Sequence, residues 1–119
     1  MTYQKKIGDF GETLAADYLQ SKGYLLLDRH YTTRYGELDL VMQESGTIVF
    51  VEVKTRTTFT YGLPEASITP GKMEKIQNSA LLWLQAHPDA PDDWRVDAVA
   101  VLLDHRRSLK DLQHFENIT

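Results

Sequence analysis

The chain has 119 residues, enough for one hydrophobic core and too few for two. It is 42% apolar and 25% charged with no biased tract, and its lack of cysteine excludes a disulfide framework, a thiolate metal site and a cysteine nucleophile. A formal charge of −4 argues against a protein that coats nucleic acid by bulk electrostatics, yet leaves room for a nucleic-acid enzyme, since clustered carboxylates lower the net charge while a basic rim holds phosphate.

The opening residues, "MTYQKKIGDFGE", lack the apolar segment of a signal peptide, and no run reaches the length of a membrane span. A cytoplasmic protein with no membrane partner is therefore expected. Residues 4–22 read as a helix, because Ile7, Phe10, Leu14, Ala15, Tyr18 and Leu19 recur at three- and four-residue steps and form one stripe. Gly23 ends it where a left-handed residue is cheap. Gly8 and Gly11 each cost about 1 kcal/mol against alanine. Either they admit another backbone or a ligand, or the helix start frays.

"YLLLDRHYTT" (24–33) reads as a strand and Arg34-Tyr35-Gly36 as a turn. Residues 37–43 and 47–54 form a hairpin with Glu44-Ser45-Gly46 as its turn region. Residues 55–68 read as a long loop, of a length that usually accompanies function or mobility. Thr69-Pro70 is a helix start, an N-cap followed by proline in the first turn. That helix runs to about Gln85 and buries Met73, Ile76, Ala80, Leu81 and Leu84. Residues 87–93 are a loop, 94–103 an alternating strand, and 111–118 a last, edge strand. The order α-β-β-β-α-β-β implies a single domain with a mixed α/β sheet flanked by helices.

The hairpin carries an unusual load of charge. Alternation places Glu37, Asp39 and Val41 on one face and Leu38 and Leu40 on the other. In the second strand Phe50, Glu52 and Lys54 share a face, opposite Val49, Val51 and Val53. A loop of two or four residues sets Asp39 opposite Glu52 and Glu37 opposite Lys54. A three-residue loop without a bulge puts the two acids on opposite faces. In the first register two carboxylates stand roughly 5 Å apart, which is destabilising unless a proton, a cation or a metal compensates.

Two readings follow. Lys54 lies two residues along the same face, so a cross-strand ion-pair ladder on a solvated face is one. The other is a divalent-metal site, favoured if a helix covers that face, because covered charges need pairing. Magnesium takes hard oxygen ligands and keeps several waters. Asp39, Glu52 and the carbonyl of Val53 could supply three positions. Lys54 could orient or deprotonate a neighbouring water or neutralise phosphate in the transition state.

The pattern Asp39…Glu52-Val53-Lys54 resembles the D…(D/E)xK signature of restriction-endonuclease-like nucleases. The ordered segments "GDFGETLAADYLQSKGY", "RYGELDLVM", "IVFVEVKTR", "YGLPEASITPGKMEKI" and "RVDAVAV" resemble more closely the YraN-like family of bacterial proteins, over roughly residues 4–103. This resemblance implies a restriction-endonuclease-like fold and Mg²⁺ (or Mn²⁺) at Asp39 and Glu52. It implies a water assisted by Lys54 and DNA as substrate, branched or damaged DNA included. In the branch similar to Holliday-junction resolvases, a glutamate on the first helix joins the acidic cluster. Glu12 matches it, the alternative being a first-turn glutamate favoured by the helix dipole. A small nuclease that engages two strands is compatible with a homodimer. The rival from another class is a non-catalytic nucleic-acid-binding or scaffold protein that keeps the fold.

Arg56, Lys72, Lys75 and Arg34 are candidate phosphate contacts, with ordinary solvated side chains as the alternative. Phe59 and Tyr61 could stack on bases. Asp97 either pairs with Arg95 or serves as a third metal ligand. The four histidines show no HxxxH or similar spacing, so the sequence gives no support for zinc.

Overall fold

The computed structural model describes residues 2–57 and 68–119. Its elements follow the expected order: α1 (Tyr3–Ser21), β1 (Leu25–Thr33), β2 (Gly36–Glu44), β3 (Thr47–Thr57), α2 (Pro70–Ala86), β4 (Asp93–Leu103) and β5 (Leu109–Phe115). The strands form one sheet in the order β1-β2-β3-β4-β5. All neighbours are antiparallel except β3 and β4, which run parallel across the α2 crossover. This is the mixed α/β arrangement expected of a restriction-endonuclease-like chain.

Local chemistry sets the element ends. The Thr2 and Thr69 hydroxyls cap the two helices by accepting from the amides of Lys5 and Lys72, and Pro70 opens the second. Gly23, at φ 96°, takes the left-handed position that releases the chain from α1. The β2–β3 loop has two residues, Ser45 and Gly46, and Ser45 adopts the positive φ of 52° that a tight hairpin needs at its first position.

Each face of the sheet carries a helix. Ile7, Ala15, Ala16 and Leu19 of α1 pack on Leu40, Met42, Val49, Val51, Val99 and Val101. On the other face Ile76, Ala80 and Trp83 of α2 cover Leu38, Val41, Ile48, Phe50 and Val96. Phe50 lies edge-on to both Trp83 and Trp94, with ring centres 5.8 Å apart in each case. Strand β4 is buried from Val96 to Leu103, the near-continuous apolar run of a strand covered on both faces.

Several expectations need correction. Phe10, Tyr18 and Leu81 are exposed, while Gly11, Glu12 and Ala16 of α1 and Ser79 and Trp83 of α2 are buried. Helix α1 approaches the sheet along a stripe of small residues, which rotates its bulky aromatics outward. Residues 55–57, read as loop, continue β3 because β4 pairs with it as far as Thr57↔Leu103. The last strand starts two residues earlier than expected and ends at Phe115. Residues 58–67, with Phe59 and Tyr61, lie outside the described residues.

Candidate metal centre

The β2–β3 ladder runs from Glu44↔Thr47 to Leu40↔Val51, so the register is the one that sets Asp39 against Glu52. Pairing stops one step before that position. The Val53 amide donates instead to Asp39 Oδ2 at 2.9 Å. The two strands therefore part at Asp39, and its carboxylate fills the gap. In an extended strand the N–H and C=O of one residue point the same way. The Val53 carbonyl thus faces the gap as well.

Alternation breaks at this point. Leu40 and Met42 pack under α1, but Leu38 and Val41 pack under α2. Across the β1–β2 ladder, His30 takes φ 55°, between Arg29↔Leu40 and Tyr31↔Leu38. The expectation that Leu38 shares the face of Leu40 is overturned. Glu37, expected opposite Lys54, turns to β1, where it meets His30 Nδ1 at 3.0 Å and Thr32 Oγ1 at 3.5 Å.

Glu52 lies close enough to Asp39 for a carboxyl–carboxylate hydrogen bond. Both are held above the ordinary carboxylate range. Burial is the main cause for each, and repulsion from Asp39 helps push Glu52 up to about 7. For Asp39, the bond from Val53 and the charge of Lys72 oppose the rise. Glu12 reaches this field from α1. Burial and then Asp39 push it up to about 7, against the opposing charges of His30 and Arg29. The side chains of Glu12 and Glu52 are only 12% exposed. Three acids, each raised by burial, form a pocket deficient in positive charge. Its all-oxygen donors suit a hard divalent ion.

Of the candidate bases, Lys72 makes an ion pair to this pocket. Lys72, at the start of α2, brings its Nζ to 3.5 Å from Glu52 Oε1. Lys54 is half-buried on β3, in register with Ala100. Arg56 is exposed and lines a groove of about 510 Å³ between α1 and β3, together with Gly8, Glu12, Val53 and Thr55. Lys75 is exposed one turn beyond Lys72. Arg34 is exposed in the β1–β2 turn and lies 5.0 Å above the Tyr35 ring.

Asp97 is fully buried and pairs with Arg95, its Oδ1 accepting from Nε at 2.9 Å. It also accepts from His114 Nε2 and the Asn117 amide, each at 2.8 Å, and from a second Arg95 nitrogen at 3.3 Å. Burial acts to raise it, but the bonds from His114 and Arg95 outweigh that and hold it low. With its lone pairs committed it has none for a metal. Sequence reasoning missed Asp9, Arg29 and His30, which border Glu12. The three-residue step from Asp9 to Glu12 on one helix face was the available signal.

A family model, the uncharacterised protein family UPF0102, matches residues 11–101. A UPF0102 protein of Syntrophomonas wolfei is 43% identical over 104 residues, covering 87% of this chain and 90% of the relative. One from Clavibacter michiganensis is 45% identical over 102 residues, covering 86% of each. Another from Pelotomaculum thermopropionicum is 41% identical over 114 residues, covering 96% and 95%.

Proposed function

The chain belongs to the uncharacterised protein family UPF0102, and from the geometry of its own acidic site we propose that it is a metal-dependent nuclease hydrolysing phosphodiester bonds in DNA, branched or damaged DNA included. The observation that carries this reading is the meeting of Asp39 and Glu52 where β2 and β3 part, both acids raised by burial in a pocket short of positive charge.

Asp39, Glu52 and the Val53 carbonyl would hold Mg²⁺ or Mn²⁺. When bound, the ion polarises the phosphate and acidifies a water. The protein supplies the rest. The Val53 amide fixes the Asp39 carboxylate, so one oxygen is kept from rotating. Lys54 follows the ligand pair on β3 and would place its Nζ beside the negative charge that develops on phosphate. Glu12 closes the α1 side. Lys72 balances Glu52 and stands with Lys75 at the start of α2, where a phosphate backbone leaving the pocket would pass. Arg56 lines the groove through which such a strand would enter, and Arg34 would be a further contact from the β1–β2 turn.

The test is cleavage of duplex, single-stranded, flapped and four-way DNA, and of RNA, in Mg²⁺ and Mn²⁺. Glu52→Gln and Lys54→Ala should each lower the rate by about 10²-fold or more. Cleavage that survives both substitutions would overturn the assignment. The net charge of −4 favours a second reading, a non-catalytic nucleic-acid-binding or scaffold protein. Ca²⁺ or Mn²⁺ that raises the melting temperature of wild type but not of Asp39→Asn supports the metal site.

A further inference from the structure

A second cluster lies on the α1 side of the acidic pair. We propose that Asp9, Glu12 and His30 bind a divalent first-row transition ion, with Glu37 holding the imidazole in position. One ligand atom from each of the three lies within 4.8 Å of the others. Asp9 and Glu12 are three residues apart in α1 and so share a face. His30 arrives from β1, and its φ of 55° is the kink that breaks alternation and turns its ring toward α1.

His30 Nε2 lies 2.5 Å from Glu12 Oε1 and 3.6 Å from Asp9 Oδ1. A nitrogen and an oxygen bound at about 2.0–2.1 Å to one ion stand about 3 Å apart, between these two values. The Glu12 oxygen supplies an independent sign. The residue is only 9% exposed, and its Oε1 is sealed from water with no partner in hydrogen-bond geometry. His30 Nε2 is near it in distance but is not aligned as a donor. Two ligand atoms set side by side, rather than aimed at each other, are what a shared cation requires.

The remaining contacts fit the same assignment. His30 Nδ1 is 3.0 Å from Glu37 Oε1, a carboxylate–histidine pairing that leaves the Nε2 lone pair for a metal. Arg29 donates to the Asp9 backbone carbonyl at 2.8 Å and keeps its Nε 3.7 Å from Glu12 Oε1, bordering the cluster without closing it. An imidazole with two carboxylates favours a transition ion over magnesium. The inference does not depend on nuclease activity.

Metal-stripped full-length protein would be titrated with Zn²⁺ by calorimetry and with Co²⁺ by visible absorption, in wild type, His30→Asn and Glu52→Gln. Asparagine tolerates the positive φ, so the backbone is kept. Wild type should bind Zn²⁺ and show a Co²⁺ ligand-field band. His30→Asn should weaken Zn²⁺ by at least about tenfold and abolish the Co²⁺ band, while Glu52→Gln, which alters only the Asp39 pair, keeps that band. Asp9→Asn replaces the histidine variant if that fails to fold. Zn²⁺ affinity unaffected by both His30→Asn and Asp9→Asn, or no Zn²⁺ uptake by wild type, overturns the site. A chain that cleaves no substrate yet loses Zn²⁺ on His30→Asn sinks only the nuclease reading.

Discussion

Glu12 and Glu52 are carboxylates that folding raises from 4.5 to about 7. A raised carboxyl binds its proton more tightly in the folded chain, so its contribution to stability is full below about 4.5 and is lost as pH rises through about 7. Urea denaturation of the metal-free protein should therefore show stability falling between pH 5 and 8. Glu52→Gln should flatten that fall and raise stability at pH 8 by on the order of 2 kcal/mol. A curve of unchanged slope in the variant would place the titration elsewhere. Asp97 works in the opposite sense. Its carboxylate is held low, so its contribution is present at neutral pH and is lost on acidification. Asp97→Asn leaves Arg95 without its buried counter-charge and should cost about 3 kcal/mol by denaturant titration at pH 7.

At the scale of elements, the two early glycines of α1 make a matched pair of tests. A methyl group at Gly11 would overlap the Thr55 hydroxyl of β3, whereas one at Gly8 meets nothing within 4 Å. Gly11→Ala should destabilise by about 1–3 kcal/mol. Gly8→Ala should stabilise by about 0.5–1 kcal/mol through helix propensity. Thermal melts that moved both variants in one direction would contradict this packing. The glycine pattern in the sequence suggested a close approach, and at Gly11 that approach is β3 itself. Helix positions and the order of elements were legible because they rest on local periodicity and caps, whereas the hairpin register stayed open until the two-residue turn fixed it. The broken alternation at Leu38 was not legible, because it depends on the conformation of His30 in the neighbouring strand. The burial of Trp83 was also missed. Its indole N–H finds Asp28 Oδ2 at 2.8 Å, a partner far away in the chain.

For the molecule as a whole, charge and topology decide what a nucleic acid would meet. A net charge of −4 provides no general attraction, so on the proposed reading binding would come from a few local basic residues. If Arg34, Arg56, Lys72 and Lys75 each contact a phosphate, as proposed, log affinity should fall against log salt with a slope of about −3 to −4 on duplex DNA. Removing Lys72 and Lys75 together should reduce that slope by about 2, measured by fluorescence anisotropy in Ca²⁺. A slope untouched by the double substitution would move the interface to another face. That Asp39 would meet Glu52 and Val53 was one of the alternatives a single hairpin offered, and the register realises it. The cluster of Asp9, Glu12 and His30 was not legible, since α1 and β1 contribute to it and only folding sets them side by side.

The parting of β2 and β3 at Asp39 also bears on the order of folding events. Hairpins of this kind close in about 1–10 μs, long before a parallel strand can arrive across a helical crossover. Asp39 and Glu52 are therefore brought near each other while water still screens them. Their mutual cost falls due only when α1 and the β3–β4 pairing complete the covering. A cation held there, as proposed, would act on the finished state rather than on the rate-limiting step. In stopped-flow chevrons, Mn²⁺ should slow the unfolding limb and leave the folding limb nearly where it was.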